Sequence, residues 1–311
     1  MNPDIVLIGA LPASCEVRLT AGFTLHRISA GIHASELGPI AGVVRGLVTG
    51  GVAGASRAVM EALPRLEIIA INGIGTDAVD LAYARARGIQ VTVTPDVLTD
   101  DVADLAMGLL IATARRICLA DRFVRAGLWG RQVLPLATKI SGKRLGILGL
   151  GRIGRAIARR ADGFGMQIAY TDLHQMPDVP WRHEPSLPAL ARWADMLVVA
   201  AAAGPASHGL VDADVLEALG PEGLLVNVAR GSIVDETALV AALQQGRLGA
   251  AGLDVFTDEP HVPEALWTMD NVVLQPHRAS ATVETRIAMG NLVAANLEAH
   301  FAGRPLPTPV R

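Results

Sequence analysis

KRLGILGLGRIGRAIARRADGFGMQIAYTD, residues 143–172, is the stretch on which the fold turns. A short apolar run meets the hexapeptide GLGRIG (149–154), which opens a helical pattern; a second apolar run then ends in Asp172, eighteen residues beyond Gly154. A lone G-x-G-x-x-G is common in turns. Set between a strand and a helix, with an acid about 20 residues further on, it marks a dinucleotide-binding βαβ unit. Gly149 permits the tight turn, Gly151 lets the backbone approach a pyrophosphate, and Gly154 lets helix and strand pack closely. Arg152 and Ile153 lie within the motif at the helix N-terminus, where unpaired N–H groups and the positive end of the dipole face an anion. Asp172 can accept hydrogen bonds from both hydroxyls of an adenosine ribose and would repel a 2′-phosphate. Leu173 follows it, where a phosphate would favour Arg. The reading favours NAD(H), with Arg152 and Arg182 keeping NADP(H) open.

Outward from this motif, short apolar runs alternate with helical patterns along the chain, the signal for parallel βα units. DIVLIGA (4–10), VVRGLVTG (43–50), EIIAING (67–73) and IQVTVT (89–94) read as strands of a first series, with helices over 56–64 and 80–88. The stretch 94–116 reads as a long buried helix, capped at Thr99 or Asp100 and passing from one domain to another. Beyond residue 143, the runs QIAYTD (167–172), MLVVAAA (196–202), GLLVNVA (223–229), GAAGLDV (249–255) and NVVLQ (271–275) continue a second series. After residue 280 one amphipathic helix is expected, with Val283, Ile287, Leu292 and Leu297 on its apolar face, then a Pro-rich tail. The reading is α/β, with two domains and a cleft between them: residues 1–95 with 283–311, and 96–282.

Bulk properties agree. At 311 residues the chain exceeds the size at which one core stops growing. With 51% hydrophobic residues and a mean hydropathy of +0.38, it can bury large cores. A net charge of −3 argues against a nucleic-acid partner. Two cysteines, Cys15 and Cys118, are too few for a disulfide framework and point to a reducing cytoplasm. The uncharged run 105–114 is far shorter than the roughly 20 residues that cross a bilayer, so no membrane partner is expected. The start, MNPDIVLIGALPASC, has no Lys or Arg before its apolar run and reads as a first strand. No metal-ligand spacing is present.

Three residues of the second series carry the chemistry. Arg230 (NVARGSIVDE), Glu259 (LDVFTDEP) and His277 (LQPH) stand at or just after the ends of successive strands, the side of an open α/β sheet where ligands bind. Reduction of a 2-keto acid needs this set. An Arg holds the carboxylate bidentately and polarises the carbonyl, and a His protonates the oxygen as hydride reaches carbon. A carboxylate beside the His favours its charged form. Each residue alone would pass as a surface or structural side chain; all three at strand ends downstream of a dinucleotide motif point to a site. His26, His33, His174, His183, His208, His261 and His300 show no partner pattern and read as filler.

The chain resembles the D-isomer-specific 2-hydroxyacid dehydrogenases, especially the glyoxylate/hydroxypyruvate and hydroxyphenylpyruvate reductases. The likeness runs through NGIGTDAVDL (72–81), TPDVLTDDVADL (94–105), GILGLGRIGRAIA (146–158), VNVARGSIVDE (226–236), GLDVFTDEP (252–260) and PHRASATVETR (276–286). It implies a flavodoxin-like substrate domain, a Rossmann-like cofactor domain, a homodimer, and catalytic roles for Arg230, Glu259 and His277. It further implies that Ile74 and Gly75 offer backbone N–H groups to the substrate carboxylate, that Asp254 binds the nicotinamide carboxamide, and that Val102 lines the ring. Glu259 stands where formate dehydrogenases carry Gln, so formate is not expected. Arg278 and Ala279 depart from the family, which has small or aliphatic residues after the His. A cation against the ring would oppose Glu259, so Arg278 is expected to point away from it. The apolar segment 129–140 is expected to reach across a dimer. The alternative on this scaffold is a non-catalytic NAD(H)-sensing binding protein of the corepressor type.

Overall fold

The computed structural model describes residues 2–29 and 34–310, so His33 and the terminal Arg311 lie outside the described residues. Contacts divide the chain into two compact units, Met1–Leu98 with Ser280–Arg311, and Thr99–Ala279. The divisions expected from sequence were at 95/96 and 282/283.

The first unit is a five-stranded parallel sheet. Its strands are β1 (Asp4–Ile8), β2 (Thr24–Ile28), β3 (Val44–Gly50), β4 (Ile68–Asn72) and β5 (Gln90–Thr92), in the order β2-β1-β3-β4-β5. That is the flavodoxin-like order. Strand β2 escaped the sequence reading because TLHRI alternates weakly and buries little. Helices α1 (Ala13–Gly22), α2 (Arg57–Glu61) and α3 (Leu81–Ala86) connect the strands, and the C-terminal helix Val283–Phe301 packs beside α1. Ser56, Asp80 and Thr282 cap α2, α3 and the C-terminal helix by accepting from backbone N–H groups two or three residues into each helix.

The C-terminal helix buries only part of the face expected of it: Leu297 is buried and Leu292 half-buried. Val283 (72% exposed) and Ile287 (36%) face outward, whereas Met289, Gly290, Val293, Ala294 and Leu297 are buried. Close packing decided this. A Cβ on Gly290 would lie 2.5 Å from Cys15 Sγ on α1, so the helix presents a residue without a side chain where α1 comes this close. Arg18 of α1 pairs with Glu298 across the same contact at 2.8 Å. The Pro-rich tail is ordered beside β5: Val310 N–H donates to Val91 O (2.8 Å) and Val93 N–H to Thr308 O (3.2 Å), covering an exposed strand edge. Two of the filler histidines are bonded to carboxylates, His26 to Asp4 at 2.8 Å and His300 to Glu67 at 3.2 Å.

The second unit begins with α4 (Thr99–Ala114) and α5 (Ile117–Arg125). Thr99 is itself helical, and Asp100 and Asp101 occupy the first turn of α4, where negative charge suits the dipole. Then follow β6 (Arg144–Leu148), α6 (Arg152–Asp162), β7 (Gln167–Thr171), β8 (Arg182–His183), α7 (Leu187–Trp193) and β9 (Met196–Val199). The series closes with α8 (Ala213–Leu219), β10 (Leu224–Asn227), α9 (Glu236–Gln244), β11 (Ala250–Leu253) and β12 (Val272–Leu274). All seven strands are parallel, in the order β12-β11-β10-β9-β6-β7-β8. The order reverses between β6 and β9, the topological switch point of a Rossmann sheet. Every residue of β9 and β10 is buried, as expected of strands covered on both faces. Helix α4 packs on α6, β10 and β11, which explains its uncharged run over 105–114. No described helix is long and apolar enough to cross a membrane.

Gly290→Ala should destabilise the protein by about 1–3 kcal/mol through overpacking, and Cys15→Ala in the same chain should recover part of the loss. Urea midpoints for the three variants test this; an unchanged midpoint for Gly290→Ala would refute the packing argument.

Candidate active site

Two sets of turns at the strand ends of the second unit bring the sequence candidates together. The first is the glycine-rich turn after β6. Gly149 has φ +91°, and a side chain there would run into the backbone of Ala201, with Cα 2.5 Å from the added Cβ. A Cβ on Gly154 would lie 2.1 Å from Gly149 O, so the helix can start this close to the strand only without a side chain. Around Gly151 the space is open, and Gly151 caps α6 with no side-chain hydrogen bond. The N-terminal N–H groups of α6 therefore face an open approach, the geometry that holds a pyrophosphate. The residues present fit a dinucleotide.

Asp172 ties this turn down from the end of β7. Its Oδ2 accepts from Leu150 N–H at 2.7 Å and its Oδ1 from Leu173 N–H at 2.7 Å. Leu173 is 88% exposed. Arg155 donates to Leu150 O and pairs with Asp178, bracing the turn from the helix side.

The second set follows β10, β11 and β12. Asn227, buried at the end of β10, shapes the turn that carries Arg230: its Oδ1 accepts from Ala229 N–H (3.0 Å) and its Nδ2 donates to Arg230 O (2.9 Å). Sequence reading gave Asn227 no role; the available signal was an Asn at a strand end before a turn. The next residue, Gly231, runs against Phe256, and a Cβ there would lie 2.0 Å from the Phe256 carbonyl carbon. That contact sets the Arg230 turn directly beside the turn after β11. Phe256 N–H in turn donates to Glu259 Oε1 at 3.1 Å.

His277 Nδ1 lies 2.7 Å from Glu259 Oε2. The imidazole side chain is 32% exposed and the carboxylate 17%. Its Nε2 has no protein partner among the described residues. Burial would raise the Glu259 carboxyl, but the hydrogen bond and charge of His277, the Phe256 N–H and the charge of Arg230 outweigh it, and Glu259 is held below the ordinary glutamate value. Ionised Glu259 orients the ring with the Nδ1 hydrogen toward itself and Nε2 outward.

Beneath this pair sits Asp254, with no exposed surface. Its carbonyl accepts from His277 N–H at 2.8 Å, and its carboxylate oxygens accept from Arg278 N–H (2.7 Å) and Ala279 N–H (2.9 Å). These three bonds hold His277 at φ +51°, a left-handed conformation costly for a residue with a Cβ. Burial pushes the Asp254 carboxyl above the ordinary aspartate value, against the two N–H bonds that lower it. Val102 is buried near the start of α4, and Ile74, 41% exposed, stands with Gly75 in the turn after β4 of the first unit. No group of three or more His, Cys, Asp or Glu able to hold a metal occurs among the described residues.

Because Glu259 is depressed in the folded protein, its contribution to stability is present above the ordinary carboxylate range and is lost as pH falls through its lowered value. Melting temperatures of the parent should therefore fall more steeply below about pH 4.3, the ordinary glutamate value, than those of Glu259→Gln. Parallel curves would refute the pairing.

Known proteins are similar to this chain over most or all of its length. A family model described as the NAD binding domain of D-isomer specific 2-hydroxyacid dehydrogenases matches residues 107–279. A 2-ketogluconate reductase of Gluconobacter oxydans is 48% identical over 99% of both chains. A hydroxyphenylpyruvate reductase of Plectranthus scutellarioides is 51% identical over 86% of this chain and 85% of its own. An NADPH-dependent glyoxylate/hydroxypyruvate reductase of Sinorhizobium meliloti, solved with NADP and malonate, is 44% identical, superposes with a TM-score of 0.94, and covers 100% of this chain and 97% of that one. With its glycine-rich turn, its strand-end residues and these relatives, the chain belongs to the D-isomer specific 2-hydroxyacid dehydrogenase family.

Proposed function

We propose that this chain reduces small 2-keto acids to D-2-hydroxy acids, with glyoxylate and hydroxypyruvate foremost and arylpyruvates next. The observation that carries the reading is the His277–Glu259 bond beside Arg230, at the strand ends of a dinucleotide-binding sheet. The names of the relatives, all reductases of keto acids, support it. When bound, the nicotinamide cofactor supplies the hydride. Arg230 holds the substrate carboxylate and draws electron density from the carbonyl oxygen. His277 donates the Nε2 proton to that oxygen, and Glu259 orients the ring and stabilises its charge before transfer. Ile74 and Gly75 offer backbone N–H groups to the carboxylate, and Val102 and Asp254 line the nicotinamide end.

Gly149, Gly151, Arg152, Ile153 and Gly154 hold the pyrophosphate, and Asp172 receives the adenosine ribose. A carboxylate that already accepts two N–H groups retains lone pairs for ribose hydroxyls, and its charge, next to the apolar Leu173, disfavours a 2′-phosphate. NADH is therefore the preferred reductant and NADPH the second. The protein works in the cytoplasm as a homodimer. Trp129, Val133 and Leu136, at 81%, 95% and 95% exposure, give the second copy an apolar surface to cover.

Steady-state kinetics with glyoxylate, hydroxypyruvate and phenylpyruvate, each with NADH and NADPH, tests the reading; no consumption of either cofactor with any of them would overturn it. His277→Ala should lower kcat by roughly two to four decades, and a loss under tenfold would remove the proton-donor role. Replacing Asp172 by Ser together with Leu173→Arg should lower the NADH:NADPH ratio of kcat/KM by at least about tenfold, equivalent to about 1.4 kcal/mol. An unchanged ratio would show that Asp172 does not read the ribose.

A further inference from the structure

Six arginines of the second unit pair with carboxylates: Arg122 with Asp270, Arg125 with Asp121, Arg144 with Asp195, Arg155 with Asp178, Arg160 with Asp100 and Asp104, and Arg182 with Glu184. Arg278 is not among them. It is exposed, and its guanidinium has neither an ion-pair nor a hydrogen-bond partner among the described residues. It is also the residue directly after His277, so its Cα lies only about 3.8 Å from that of the proton donor.

The position of Arg278 is not loose. Its own N–H is bonded to Asp254 Oδ1 at 2.7 Å, with His277 N–H on the Asp254 carbonyl before it and Ala279 N–H on Oδ2 after it. The turn that presents the imidazole therefore also fixes the backbone from which this guanidinium extends. A delocalised cation with five N–H donors in a rigid fork, anchored at its base and unneutralised at its tip, is suited to a carboxylate. Arg230 is already assigned to the carboxylate next to the keto group, so a second cation on the rim suits a second anion.

We infer that Arg278 is a specificity-determining residue of this site, receiving a carboxylate at the far end of the substrate and favouring 2-keto dicarboxylic acids over 2-keto acids of the same length with an apolar end. The inference rests on the reductase reading above and narrows its substrate class.

The test compares oxaloacetate with 2-oxobutyrate, equal in carbon number and differing in the distal carboxylate, with the full-length protein and NADH. Arg278→Gln keeps reach and hydrogen-bonding capacity while removing the charge. The oxaloacetate:2-oxobutyrate ratio of kcat/KM should fall roughly five- to tenfold in the variant. Raising ionic strength should lower that ratio in the parent and leave the variant's ratio nearly flat, because an exposed pair is screened by salt. A ratio equal in parent and variant, or one without salt dependence in the parent, overturns the inference while leaving the reductase intact. Failure of the parent to oxidise NADH with any 2-keto acid overturns the reductase reading itself.

Discussion

A carboxylate with no exposed surface organises the chemical end of the second unit. Asp254 is buried, and burying such a group is costly unless it is hydrogen-bonded. Here the N–H groups of Arg278 and Ala279 satisfy its oxygens, and its carbonyl takes the N–H of His277. The same three bonds stabilise a left-handed residue that the backbone would otherwise avoid. A strained residue persists where its surroundings over-determine it, and His277 is such a residue. The position of the imidazole thus depends on an aspartate that holds the backbone of its turn.

The rest of the constellation follows from parallel strands lying side by side. Neighbouring strands are spaced about 4.8 Å apart, so the turns after β10, β11 and β12 fall within about 10 Å of one another. Each turn contributes one side chain, and each is fixed by its own device: Asn227 folds the first back on itself, Phe256 N–H anchors Glu259 in the second, and Asp254 holds the third, while Gly231 lets the first lie against the second. The charges then reinforce one another. Glu259 stays ionised because His277 and Arg230 outweigh its burial, and an ionised Glu259 is what keeps the Nδ1 side of the ring occupied.

Where the sequence misled, packing was the reason. The C-terminal helix was expected to bury Val283, Ile287, Leu292 and Leu297; Leu297 is buried, yet Val283 and Ile287 are turned out where Gly290 lets Cys15 of α1 approach. Strands β2 and β8 carry too few apolar residues to announce themselves; β8 is two residues long and exists by pairing with β7. The Pro-rich tail was assigned no structure from sequence, and its alternate backbone groups complete the edge of β5. His26 and His300 had no visible partners because Asp4 and Glu67 lie 22 and 233 residues away in the chain.

The sequence by itself determined the parallel βα architecture, the dinucleotide turn at 149–154, and the identities of Arg230, Glu259 and His277 at strand ends, because period, glycine placement and the ends of apolar runs are local properties. Only the tertiary structure decided that Glu259 bonds His277, that Asp172 pins Leu150, and that Asp254 fixes the turn carrying both His277 and Arg278. Those contacts join residues 18 to 25 positions apart through neighbouring strands, and nothing in a one-dimensional pattern records which atoms of adjacent strand ends come within hydrogen-bond reach.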